Sequence, residues 1–172
     1  MSQGSNKIHI MVDIETYDTK PTAVILSIGA CVITGVLQSY YRELDPTTQT
    51  YRTVSDSTKE WWSKQPMPIP IGPYSLYAAL TDFSWWLQDI CKGAEPVIWC
   101  KGTDFDVAIL ANAYEQMYLP IPWKYNNIRD CRTVFKIAEW QATKASHNAL
   151  DDAKAQVVDL QCALNKLNGV LA

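Results

Sequence analysis

The chain has 172 residues, enough for one domain to bury a core without disulfide or metal staples. With 48% apolar and 19% charged residues it reads as globular rather than disordered, and a formal charge of −3 argues against a general duplex-coating protein, whose surface would be basic. A site that gathers carboxylates around divalent cations is nevertheless less negative in use than this sum.

No apolar stretch is as long as a membrane span, and the start MSQGSNK lacks the apolar centre of a secretory signal, so a cytoplasmic location is expected. Residues 1–6 are expected to form a flexible tail on a single domain covering 1–172. Five cysteines, an odd number without a C-x-x-C pair, point to reduced, mostly buried thiols rather than a disulfide framework or a structural zinc site.

KIHIMVDIE alternates as a first strand, and AVILSIGACVI is a nearly continuous apolar run expected of a central strand covered on both faces. Thr34-Gly35 offers a tight turn into VLQSYYREL, completing an antiparallel meander. A short helix is predicted at DSTKEWWSK, capped by Ser55 or Ser57, followed by PMPIPIGP, whose prolines require a loop. Beyond Ser75 the period changes. Leu76, Leu80, Phe83, Leu87 and Ile90 recur at spacings of four and three, so a helix is predicted that stops at Gly93.

PVIWC reads as a short buried strand, and DFDVAILANAYEQMY as a helix with Val107, Leu110, Ala111, Tyr114 and Tyr118 on its inner face. NNIRD is a candidate last strand, CRTVFKIAEW a helix, and a final helix is predicted from about His147 to Asn168 with Gly169 as its stop. The order of elements implies an α/β fold: a mixed five-stranded sheet, with an antiparallel meander of strands 1–3 followed by parallel strands, and helices on both faces.

Candidate chemistry begins at Asp13-Ile14-Glu15. Residues two apart on a strand share a face, so the carboxylates stand side by side. At about 4 Å such a pair repels by roughly 4 kcal/mol for an effective dielectric near 20, and divalent metal is the usual compensation. A strand ending in water would accommodate the same two residues.

In HNALDDA the apolar stripe of the helix is set by Ala149, Ala153, Val157, Leu160, Leu164 and Leu167. At about 100° per residue, Asp151 lies roughly 170° from that stripe and Asp152 about 90° from it. Asp151 should face solvent, and Asp152 the border between helix and sheet. His147 stands one turn earlier, where a histidine can also be merely structural. In GTDFDVAIL, Asp104 suits an N-cap and Asp106 the first helical turn, and spacing alone does not choose between them.

Together these residues resemble the three motifs of the DEDDh class, the DnaQ-like 3′-to-5′ exonucleases of the RNase H-like superfamily. Asp13-Ile14-Glu15-Thr16 closes a strand, Phe105-Asp106 opens a middle helix, and His147 precedes Asp152 by five residues. LSIGACVI and TKEWWSKQP are further similar to small stand-alone members, among them phage exonucleases, exodeoxyribonuclease VIII-like proteins and a mycobacterial exoribonuclease. The resemblance implies that Asp13, Glu15, Asp106 and Asp152 hold two divalent cations, Mg2+ or Mn2+, and that His147 is the general base.

Two such ions can stabilise the attacking and leaving oxygens of a phosphodiester displacement, releasing nucleoside 5′-monophosphates from a 3′ end. An imidazole, whose ordinary pKa is about 6.5, can accept the proton at neutral pH. The expected partner is single-stranded, frayed or 3′-overhanging DNA or RNA, and the sequence contains no identifiable reader of a 2′-hydroxyl. Thr16 and Tyr17 are implied contacts to the terminal nucleotide, and Trp61 and Trp62 are candidates for base stacking. Trp85 and Trp86 are assigned to packing. Lys101, Arg132 and Lys144 flank the motifs as solvated residues or phosphate contacts. The competing functions are a nucleic-acid-binding or assembly module without turnover and a nucleotide phosphohydrolase. No feature specifies an oligomeric state.

Overall fold

Alternation along the first strand decides which residues meet which layer. The computed structural model describes residues 6–34 and 38–170. Strands β1 (Lys7–Thr16), β2 (Ile25–Val32), β3 (Ser39–Glu43), β4 (Glu95–Cys100) and β5 (Ile128–Asp130) form one sheet in the order β3-β2-β1-β4-β5. The first three pair antiparallel, and β4 and β5 extend the sheet in parallel on the other side of β1. Helices α1 (Asp56–Ser63), α2 (Leu76–Cys91), α3 (Asp106–Gln116), α4 (Cys131–Ile137) and α5 (Ala149–Val170) complete the architecture.

Ile10, Val12 and Ile14 of β1 enter one core with Leu80 and Phe83 of α2 and Leu110 of α3. Met11 points the other way, into a second core with Phe135 of α4 and Ala153 and Val157 of α5. Period two continues that second face through Asp13 and Glu15, which brings both carboxylates to α5. All eight residues of β2 are buried, as its continuous apolar run requires. Among them Gly29 pairs with Asp13 across the sheet, and a Cβ there would lie 2.2 Å from the carbonyl carbon of Ala149. A residue without a side chain is what lets α5 start directly against the sheet.

Several local expectations are corrected. Helix α3 buries Ile109 and Ala113 beside Val107, Leu110 and Tyr114, whereas Tyr118 lies past the helix end at φ 54° and is 96% exposed. Helix α5 begins at Ala149 rather than His147 and runs through Gly169 to Val170. Ala163 takes the sheet-facing position after Leu160, leaving Leu164 39% exposed. Trp86 packs against Tyr40 and stacks on Phe83, but the neighbouring Trp85 is 65% exposed and does not pack.

At α2, Ser75 caps the start and the stop falls at Lys92 and Gly93, both in positive φ. At α1, Ser55 occupies the cap position, but its hydroxyl bonds to that of Ser57 instead of the backbone. The five cysteines are free, four of them buried and Cys162 partly so. No described helix is long and apolar enough to cross a membrane. The turn expected at Thr34-Gly35 and most of the tail expected at 1–6 lie outside the described residues.

Candidate active site

Asp13 and Glu15 project from the end of β1, where β4 no longer accompanies it: the parallel pairing stops at Met11 and Trp99. The Ile14 amide is therefore without a strand partner on that side, and Asp106 fills the place, its Oδ1 accepting the Ile14 N–H at 3.2 Å. Asp106 is 3% exposed at the first position of α3. Asp104 is not the helix cap; it is exposed and paired with Arg132 at 2.5 Å. Burial thus selects between the two aspartates that spacing left open.

Asp152 lies in the first turn of α5 and is 6% exposed, while Asp151 is exposed, as the helical angle predicts. The Asp152 carboxylate accepts three hydrogen bonds from the preceding loop. Ser146 donates its amide and hydroxyl to Oδ1 at 2.6 and 2.8 Å, and His147 donates its amide to Oδ2 at 2.9 Å. His147 sits at φ 62°, a left-handed conformation that a side-chain-bearing residue rarely adopts. Asn148 then caps α5, its Oδ1 accepting the amides of Leu150 and Asp151.

The structure brings all five predicted residues, Asp13, Glu15, Asp106, His147 and Asp152, to one cavity of about 190 Å³. Three of these carboxyls, Asp13, Glu15 and Asp106, are pushed up, above all by burial. Asp13 rises well above the ordinary carboxylate range, chiefly through burial and then through Asp106 and Glu15. Glu15 is raised to about 8 by burial, with Asp152 and Asp106 adding to it. Asp106 is raised to about 7 by burial, partly offset by the Ile14 amide. The protein alone leaves this charge uncompensated, and an all-oxygen donor set of this kind suits a hard divalent cation.

Two further buried polar residues belong to the site and escaped the apolar pattern. Gln156 is 7% exposed and donates from Nε2 to Asp13 Oδ1 at 2.7 Å, while its buried Oε1 has no protein partner. Asp159, 5% exposed, accepts from Thr143 N at 2.7 Å and from Trp140 Nε1 at 3.1 Å. It thereby ties down the loop that carries Lys144 and His147. Asp152, Gln156 and Asp159 recur at i, i+4 and i+7, a helical stripe in polar residues that the sequence does contain.

The implied substrate contacts divide. A second cavity of about 390 Å³ adjoins the first, sharing Glu15 and Phe105 with it, and is lined by Thr16, Asp18 and Trp61. Trp61 is 39% exposed and meets the His147 ring edge-on, with centroids 4.6 Å apart. Trp62 is only 2% exposed; its indole N–H donates to the Thr16 carbonyl at 2.9 Å and its ring packs with Val24 and Leu26. Trp62 borders the second cavity, but at 2% exposure it offers little ring surface for the stacking expected of it. Tyr17 lines neither cavity. It packs in the same small cluster and borders a depression with Arg52 and Lys59. Lys101 and Lys144 line the first cavity, whereas Arg132 is engaged by Asp104 and Asp130.

Sheet order, helix placement and this carboxylate constellation define an RNase H-like exonuclease fold. Residues 8–163 match the 3'-5' exoribonuclease Rv2179c-like domain, and the chain belongs to that family. Among solved structures it is similar to E. coli Exonuclease I in complex with a 5cy-dT13 oligonucleotide, at TM-score 0.64 and 12% identity over 90% of this chain and 40% of that one. It is also similar to cell-death related nuclease 4 (CRN-4), at TM-score 0.57 and 13% identity over 94% of this chain and 64% of that one. The chain thus spans less than two thirds of either protein, and at these identities the likeness is one of fold. No curated protein matches the sequence.

Proposed function

We propose that the protein is a divalent-cation-dependent 3′-to-5′ exonuclease that removes nucleoside 5′-monophosphates from single-stranded or frayed 3′ ends. The observation that carries this reading is the convergence of Asp13, Glu15, Asp106 and Asp152 in one cavity with His147 at its edge. Membership of a 3'-5' exoribonuclease family supports it and makes RNA the first substrate to try.

Asp13, Glu15, Asp106 and Asp152 would hold two Mg2+ or Mn2+ ions. Bound there, such ions supply Lewis-acid stabilisation of charge on the phosphodiester oxygens. The chain's own residues do the rest. Gln156 fixes one oxygen of Asp13 through a neutral amide, which orients the carboxylate without bringing a positive charge to compete with a cation. Asp152 holds the His147 backbone and Trp61 packs against the ring, contacts that support a role for the imidazole in taking a proton from the attacking water. The terminal nucleotide would enter the second cavity against Thr16 and Trp61, with Lys101 and Lys144 beside the backbone phosphates.

Oligoribonucleotides and oligodeoxyribonucleotides labelled at the 5′ or the 3′ end test the reading, incubated with Mn2+ or with EDTA. Stepwise shortening of the 5′-labelled strand, immediate release of the 3′ label as a mononucleotide and silence in EDTA are expected. Binding without cleavage would indicate a nucleic-acid-binding module, and cleavage confined to mononucleotide esters a phosphohydrolase. Full activity in EDTA would contradict the role of metal. His147→Ala should lower the rate by about 10² to 10⁴ with Mg2+ and Mn2+ affinity unchanged, since its assigned task is proton transfer.

A further inference from the structure

One atom each of Glu15, His147 and Asp152 can ligate a metal, and these three atoms lie within 4.8 Å of one another. Among the described residues this is the one cluster of that kind. Its donor set differs from the four carboxylates assigned to catalysis, because it includes an imidazole nitrogen. Magnesium takes oxygen ligands and has little use for that nitrogen. Zinc binds histidine nitrogen and carboxylate oxygen together at about 2.0–2.2 Å, and commonly keeps three protein ligands with one open position.

We propose that Glu15, His147 and Asp152 form an alternative site for zinc-like cations, and that its occupation switches the exonuclease off. The inference rests on the function proposed above, since inhibition presupposes that His147 serves as the base.

Three features of the chain favour the site. The donors come from separate elements, the end of β1, the loop before α5 and the first turn of α5, so they converge from different sides. The backbone beneath the imidazole is already fixed, with φ 62° held by the bond from the His147 amide to Asp152. The ring itself is restrained by Trp61 at 4.6 Å. Donors around a tetrahedral ion stand roughly 3.3 Å apart at zinc bond lengths, so closing the site takes a shift of the order of 1 Å. Rotation of the flexible Glu15 side chain is the natural source of that shift.

The consequence is competition. Glu15 and Asp152 belong to both arrangements, so zinc and the catalytic ions exclude each other. An imidazole nitrogen engaged by a cation has no lone pair left for a proton. Zinc also outranks manganese in intrinsic affinity for mixed nitrogen and oxygen donors, so it should inhibit well below the working manganese concentration.

Calorimetric titration of Zn2+ and, separately, Mn2+ into the metal-free protein tests this, using wild type, His147→Ala and Asp151→Asn. Zinc should bind wild type and Asp151→Asn alike. His147→Ala should weaken zinc by more than about 100-fold, beyond the 10- to 100-fold typical of losing an outer-shell partner, while leaving manganese affinity unchanged. Equal zinc affinity in wild type and His147→Ala would overturn the proposal. A second readout needs no variant. The chain contains two histidines, and His9 is bonded through Nδ1 to Trp99 away from the site. In the imidazole NMR spectrum of the wild type, one equivalent of zinc should shift the His147 signals and leave those of His9 in place; an unmoved His147 refutes the site. Manganese-dependent cleavage by the wild type is measured alongside. Its absence would remove the exonuclease reading, whereas the zinc titration separately decides whether the three residues bind the ion.

Discussion

Asp13 and Gln156 meet across the interface of sheet and helix, Gln156 Nε2 donating to Asp13 Oδ1 at 2.7 Å. The bond engages one carboxylate oxygen and leaves the other for the proposed cation. Gln156→Leu, close in volume, should fold while releasing Asp13. Outer-shell partners of metal ligands are typically worth 10- to 100-fold in metal affinity or activity. A manganese titration should therefore show weakening of about that size, and an unchanged affinity would mean that Gln156 serves packing alone.

Asp13→Asn keeps an acceptor for Gln156 and removes one charge from a cluster in which Asp106 and Glu15 both raise the carboxyl. In EDTA the variant should melt higher than wild type, by roughly 2–4 °C for each kcal/mol of repulsion relieved in a chain of this size. It should also lose cation binding and turnover. Calorimetric melts with and without manganese check both halves of the expectation.

Metal-free stability should fall with rising pH. Glu15 is raised to about 8 and Asp106 to about 7, whereas unfolded carboxyls titrate near 4. Both groups hold protons more tightly in the folded chain, so their contribution is complete below the unfolded values and is lost as pH climbs through about 7 and about 8. Melting temperatures in EDTA should decline from about pH 5 to pH 8. Adding manganese should flatten the decline, because a bound cation takes over from the protons.

Gly29→Ala places a methyl group 2.2 Å from the Ala149 carbonyl carbon and 2.3 Å from the Leu150 nitrogen, both of them backbone atoms. Helix α5 must then move away from the sheet, carrying Asp152 from Asp13 and Glu15. Overpacking of this kind typically costs about 1–3 kcal/mol. Activity should drop further than stability alone explains, which a melt and a rate measured on the same preparation would show.

The sheet was legible in the sequence because its strands carry strong signals: alternation in KIHIMVDIE, and an unbroken apolar run at β2. Asp152 could be chosen over Asp151 because a helix with a clear apolar stripe converts spacing into direction. Asp106 over Asp104 was not legible that way. The choice depends on the unpaired Ile14 amide at the end of β4, a long-range consequence of strand length. Gln156 and Asp159 do not belong to the apolar stripe of α5; they recur with Asp152 as a separate polar stripe along its border, which apolar periodicity does not reveal. Trp62 looked equivalent to Trp61 as a neighbour in sequence. Helical rotation separates them, and the Thr16 carbonyl claims the Trp62 indole.

The central claim is tested most directly by one time course. Wild type, Asp151→Asn and Asp152→Asn are compared side by side on a 5′-labelled oligoribonucleotide at saturating manganese. The two aspartates are adjacent and chemically identical, and they differ in that Asp152 is buried in the cavity while Asp151 faces water. A ladder shortening one nucleotide at a time is expected from wild type and Asp151→Asn, with the strand left intact by Asp152→Asn. An active Asp152→Asn beside a dead Asp151→Asn, or an intact strand with wild type, would contradict it.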